Sequence, residues 1–154
     1  MSAYDARDVG RVVSLQTKRE HDAPLAPVES FTATALGLEG DRHAGRQAGK
    51  RQILLAEAGD LRDLGLDPGD LREQVTLDLP GLMSLDEGTR LRVGEAVLEL
   101  TGVCEPCTHI GEHIGAEDPE ALRRRLVGRR GMLARVVGEG PIRREDPVEV
   151  ESDG

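Results

Sequence analysis

The chain reads as a succession of short β-forming runs joined by glycine- and proline-containing connections, and this pattern limits the fold more than any other feature. Residues 9–17 are rich in β-branched side chains and partly alternating. Residues 28–35 (with Phe31 inward), 51–56, 73–78, 89–93, 95–101, 131–137 and 147–150 continue in the same manner. Helical character is confined to short stretches. In residues 57–64, Ala58, Leu61 and Leu64 share a face, and Gly65 stands where a C-cap belongs. Asp118 and Pro119 form a helix start, with Leu122 and Leu126 on the apolar side and Gly128 as the stop. Thr108 is placed to cap a further short turn through Gly111. The connections lack the regular βαβ rhythm of a parallel sheet. The expectation is therefore one mainly β domain over residues 1–154, a β-barrel with two or three short helices and a frayed tail at 151–154.

Composition fixes the kind of core and excludes some partners. Tyr4 and Phe31 are the only aromatic residues, so the core must be aliphatic, and no stacking platform exists for single-stranded nucleic acid. A formal net charge of −9 opposes nonspecific attraction to nucleic acid or anionic lipid. No run approaches the roughly 20 apolar residues of a membrane span. The N-terminal stretch lacks an apolar signal segment. The expected setting is the cytoplasm, with reduced thiols and neither nucleic acid nor membrane as partner.

Both cysteines lie in residues 101–113, TGVCEPCTHIGEH, together with His109 and His113. A strand-like run leads in, and Gly102 and Pro106 demand an irregular path after it. A thiolate on such a loop is a nucleophile and a soft metal ligand. Cys104 and Cys107 have the spacing of a redox dithiol, but the thioredoxin setting is absent. Cys104, Cys107, His109 and His113 could form a zinc site, although one residue between Cys107 and His109 makes it cramped. A single working thiolate, or two thiols packing as small hydrophobes, are the remaining readings.

A second chemically distinct segment precedes it. Four glycines punctuate residues 36–49, and Arg42, His43, Arg46, Lys50 and Arg51 face Asp41 as the only acid between 41 and 51. In an acidic chain this concentrates positive charge where a phosphate could be held, with the arginines as bidentate donors. Asp41 and His43 could bind a ligand or move a proton. This segment is expected to fold over the same surface cleft as Cys107, with His43 nearer the reacting centre. The later island of Arg123, Arg124, Arg125, Arg129 and Arg130 reads as a solvated face. Common nucleotide-binding and hydrolase motifs are missing.

In order and spacing, these segments resemble the MOSC family, named for the C-terminal domain of molybdenum-cofactor sulfurase. Residues 37–45, GLEGDRHAG, are similar to the family's G-D-x-H-x-G segment. The RQILL strand, the Glu73-Gln74-Val75-Thr76 stretch against E-N-[IV]-T, the hairpin before the cysteines and Pro106-Cys107 come next in order. Gln74 departs from the family's Asn, and residues 145–147 from its Gly-Asp turn. The resemblance implies a β-barrel fold and a cysteine, Cys107, that carries sulfur or ligates molybdenum in molybdenum cofactor (molybdopterin). It further implies Asp41, Arg42, His43, Arg46, Arg51, Gln74, Thr76 and Cys104 as cofactor-binding residues. Some relatives reduce N-hydroxylated compounds, so a small-molecule substrate and a redox or cofactor-synthesis partner protein are implied as well. A noncatalytic zinc-binding or redox CxxC module is the competing reading.

Overall fold

The computed structural model describes residues 9–17, 26–35, 37–39, 53–106 and 108–151. Asp41, Arg42, His43, Arg46, Arg51 and Cys107 lie outside the described residues, and so does the expectation that residues 40–51 cover a cleft beside Cys107.

The described strands are β1 (Val9–Thr17), β2 (Ala26–Val28), β3 (Ser30–Thr34), β4 (Gly37–Leu38), β5 (Ile53–Glu57), β6 (Val75–Asp78), β7 (Arg90–Val93), β8 (Ala96–Val103), β9 (Met132–Gly138), β10 (Gly140–Arg143) and β11 (Pro147–Val150). The helices are α1 (Ala58–Leu64), α2 (Thr108–Ile114) and α3 (Pro119–Leu126), with a 3-10 turn at Leu82–Ser84. Seven strands close into a barrel in the order β11-β7-β8-β9-β5-β6-β1, because β1 pairs with β11 at Val9↔Glu149 and Gly10↔Val148. Closure leaves no unpaired edge among these seven. β2 adds to β1 at its far end, and β10, β3 and β4 form a separate three-stranded sheet. The mainly β barrel with three short helices is the architecture the sequence led us to expect.

The barrel interior is filled by aliphatic side chains, as two aromatic residues require: Leu15, Ile53, Leu55, Leu77, Leu91 and Leu98 are each at most 1% exposed. A second cluster lies outside the barrel wall, where Ala56, Leu61, Leu64, Leu71, Ile110, Leu122 and Leu126 join α1, α2 and α3. The starts of α1 and α3 are capped by acids: Glu57 accepts the Gly59 N–H, and Asp118 accepts the Ala121 N–H, with Pro119 in the first turn. Gly65 ends α1 in the left-handed conformation at φ 72°, as the C-cap position demands.

The short strands β2 and β4 were not expected from the sequence, and three further details differ. β5, α1 and β6 form one parallel βαβ crossover, with Leu55 opposite Val75. A seven-residue helix is too short to announce that crossover in the sequence pattern. α2 runs on to Ile114 and takes Thr108 as its first residue instead of its cap. β10 had no sequence signal, because Pro141 and the flanking charges mask its single buried residue, Ile142. Among the described residues no helix is long and apolar enough to cross a membrane.

Candidate functional site

The loop that carries the cysteines is aimed by the end of β8. Leu100 pairs with Ala134, but Gly102 pairs with Leu133, so Thr101 is an extra residue on β8. A bulge of this kind bends the strand and redirects the chain beyond it. Past the bulge, Val103 pairs with Met132, and the Cys104 N–H then donates to the Gly131 carbonyl at 2.9 Å. Gly131 sits against β5. A Cβ there would lie 2.6 Å from the Leu55 carbonyl oxygen, so only glycine permits the approach. The three strands β5, β9 and β8 thus fix the backbone of Cys104 as one unit.

Cys104 itself is a free thiol buried to 8% exposure. The chain then surfaces: Glu105 is exposed and Pro106 half-buried, and α2 begins at Thr108. His109 and His113 lie on the solvent face of α2, and His109 pairs loosely with Glu112 at 3.8 Å. Ile110 points the other way, into the helix cluster. Gly111 lets α2 lie against α3, since a Cβ there would meet the Pro119 Cα at 2.8 Å. Among the described residues, no three His, Cys, Asp or Glu side chains gather closely enough to hold a metal ion. A buried Cys104 and two exposed histidines therefore do not converge.

Gln74 and Thr76 are both buried at the β5–β6 seam. The Gln74 side-chain oxygen accepts the Leu54 N–H at 2.8 Å, while its own backbone N–H donates to the Leu54 carbonyl at 3.1 Å. Gln74 thereby extends the parallel ladder by one rung with its side chain. The Thr76 hydroxyl lies 2.6 Å from Glu73 Oε2 and 3.5 Å from the Gln16 amide nitrogen. Of the cofactor-binding residues that the family resemblance implies, these two and Cys104 can be placed. The Gln74 side-chain oxygen and the Thr76 hydroxyl are engaged inside the protein, and the Cys104 thiol is enclosed.

Sequence reasoning passed over two residues that shape this region. Gly131 was read only as the start of a strand. Arg130, grouped with a solvated basic face, donates from Nη1 to the Leu71 carbonyl at 2.7 Å. Arg123 and Arg124 of that island are surface residues, as expected, and pair with Glu120 on α3. Nothing in a charge run distinguishes Arg130 from its neighbours, because its role depends on a loop 59 positions away.

The same architecture recurs in known proteins. Among solved structures, the YuaD protein from Bacillus subtilis superposes with a TM-score of 0.81, covering 95% of this chain and 97% of that one, at 22% sequence identity. YiiM from Escherichia coli gives a TM-score of 0.67, covering 94% of this chain and 71% of its own, at 21% identity. YiiM from Geobacillus stearothermophilus gives 0.68, with 94% and 76% covered and 18% identity. Identities this low speak for the fold alone. No curated protein matches the sequence. The family model described as "MOSC domain" matches residues 41–149, more than half of the chain, so the chain belongs to the MOSC domain family.

Proposed function

We propose that the protein binds molybdenum cofactor or carries sulfur, with Cys107 as the working thiol. The observation that supports this most is the contrast between Cys104 and the segment after it. Cys104 is enclosed, and its N–H is tied to Gly131, whereas Glu105 and Pro106 rise to the surface immediately before Cys107. Of the two thiols, the enclosed Cys104 is therefore the poorer candidate for a working nucleophile. When bound, the cofactor would supply the metal-centred redox chemistry by which relatives reduce N-hydroxylated compounds. This chain's part is to hold it: Cys107 as the soft ligand, Arg42, Arg46 and Arg51 as charge-assisted partners of its phosphate, and Asp41 and His43 beside the reacting centre. The reading carries with it a small-molecule substrate and a redox or cofactor-synthesis partner protein. A cytoplasmic setting would keep the thiol reduced.

The test is metal and thiol analysis of protein made in a host that synthesises the cofactor. Molybdenum or labile sulfur is expected with the wild type and with Cys104→Ser, and is expected to be lost with Cys107→Ser. Alkylation should be fast in Cys104→Ser, where only Cys107 remains, and slow in Cys107→Ser. Stoichiometric zinc lost with either substitution would replace this reading by a metal-binding module. Equal alkylation rates would remove the special place of Cys107.

A further inference from the structure

Glu73 enters β6 at 0% exposure. Among the described residues, its Oε1 is the one buried side-chain oxygen or nitrogen with no hydrogen-bond partner. Its other oxygen is well held. Oε2 accepts the Gly69 N–H at 2.9 Å and lies 2.6 Å from the Thr76 hydroxyl. The main chain of Glu73 is held too, by the Gln16 side-chain amide, which donates to its carbonyl at 2.9 Å. Gln16 in turn accepts from the Ser14 hydroxyl and lies under Gly69. Residues 67–72 therefore close over a small polar seam between β1 and β6, and the Glu73 carboxyl is the peg that they close onto. The loop tightens on itself as well, since the Arg72 N–H donates to the Gly69 carbonyl at 2.9 Å and Arg72 has a φ of 65°.

The groups that act on that carboxyl are neutral: the Thr76 hydroxyl from β6 and the backbone of Gly69, Leu71 and Glu73 itself. The charged residues of the loop are Asp67, Asp70 and Arg72. Asp70 accepts the Asp67 N–H at 2.8 Å, Arg130 from before β9 donates to the Leu71 carbonyl at 2.7 Å, and no ionic neighbour acts on Glu73. A buried carboxylate with no cation and one oxygen unpartnered is costly, and taking up a proton removes the charge. A carboxylic acid suits the seam, because a protonated Oε2 can donate to the Thr76 oxygen and still accept from Gly69. Burial raises the Glu73 pKa from its ordinary value, which agrees with the contacts.

We propose that Glu73 latches residues 67–72 onto β1 and β6 most firmly as the neutral acid, and that its ionisation as pH rises loosens the loop. In the closed loop the proton is retained; in the open loop the carboxyl ionises as an ordinary glutamate. Loop opening then gains up to about tenfold per pH unit between the ordinary glutamate value and the closed-state value, and levels off above it.

The experiment titrates the Glu73 side-chain carboxyl carbon by NMR, assigned by its loss in Glu73→Gln. Alongside, hydrogen exchange is measured at the Gly69 and Arg72 amides, corrected for intrinsic rates. The expected result is a carbon that titrates above the ordinary glutamate value and opening constants that climb with pH in the wild type but stay flat in Glu73→Gln. A carboxyl that titrates at or below the ordinary glutamate value overturns the proposal, and so do opening constants with no pH dependence. Should Glu73→Gln fail to fold, the wild-type titration decides by itself, with Thr76→Val supplying the assignment through a shift of the same carbon.

Discussion

The wall formed by β5 and β6 and the wall formed by β7 and β8 meet opposite surroundings, and their sequences show it. All five residues of β5 are buried, because Ile53 and Leu55 fill the barrel while Ala56 packs under the helices. β7 alternates strictly between exposed and buried residues, and β8 alternates through Leu100, since one face meets water. A strand covered on both faces reads as an unbroken apolar run, and a half-covered strand reads as an alternation. The covered wall is itself divided. Under α1, α2 and α3 its outer face is apolar, whereas under residues 67–72 it is the polar seam of Gln16, Glu73 and Thr76. One barrel therefore carries three kinds of outer surface, and substitution at each should cost a different amount.

The largest effect belongs under the helices. Leu126 is fully buried and holds α3 against the cluster that covers Ala56. Leu126→Ala removes transfer energy and leaves a cavity, which should lower stability by about 2–5 kcal/mol in denaturant unfolding. A loss below about 1 kcal/mol would mean that the helices are loosely attached and that β5 does not depend on its outer cover.

These differences explain what the sequence could and could not disclose. The barrel strands were legible because their burial is local and periodic. Asp118-Pro119 and Gly65 were legible because capping is short-range chemistry. Glu73 was visible only as the start of a strand and as part of a family-like segment. Its burial depends on Gln16, 57 positions earlier, and on a loop that folds back over it. The thiol loop was legible in composition, yet its aim comes from an extra residue in β8 and from the room Gly131 leaves beside Leu55. Neither has a periodic signal.

A middle-sized effect is expected in the seam. Thr76→Val keeps the shape and deletes the hydroxyl that meets Glu73 Oε2 and the Gln16 amide. Leaving buried polar groups short of a partner should cost about 1–3 kcal/mol. Equilibrium unfolding measures it. A neutral or stabilising result would show that the polar half of the covered wall holds the barrel no better than an apolar patch of equal shape. The split between an apolar and a polar cover would then lose its energetic meaning.

The smallest effect is expected on the open wall, at Glu99 of β8. Its Oε1 accepts from Arg135 Nε and Nη2 at 3.1 and 2.9 Å, and its Oε2 accepts from Arg90 Nε at 3.2 Å. Those bonds span three adjacent strands, β7, β8 and β9. The Arg135 hydrogen bonds hold the Glu99 carboxyl below its ordinary value, with Arg90 adding to the effect. The folded form therefore binds its proton less readily than the unfolded form. Its contribution is present above the unfolded glutamate value of about 4.3 and is lost as pH falls through the lower folded value. Because both arginines are half-exposed, screening limits the gain to roughly 0.2–1 kcal/mol. Glu99→Gln should thus cost that much at neutral pH and low salt, less in concentrated salt, and nothing in strong acid where the wild type is already protonated. Unfolding curves at two salt concentrations and two pH values measure all three arms. A cost that survives high salt undiminished would show that the open wall is more shielded from water than its alternating pattern says. The contrast between the two walls would then rest on burial of side chains alone and not on their electrostatics.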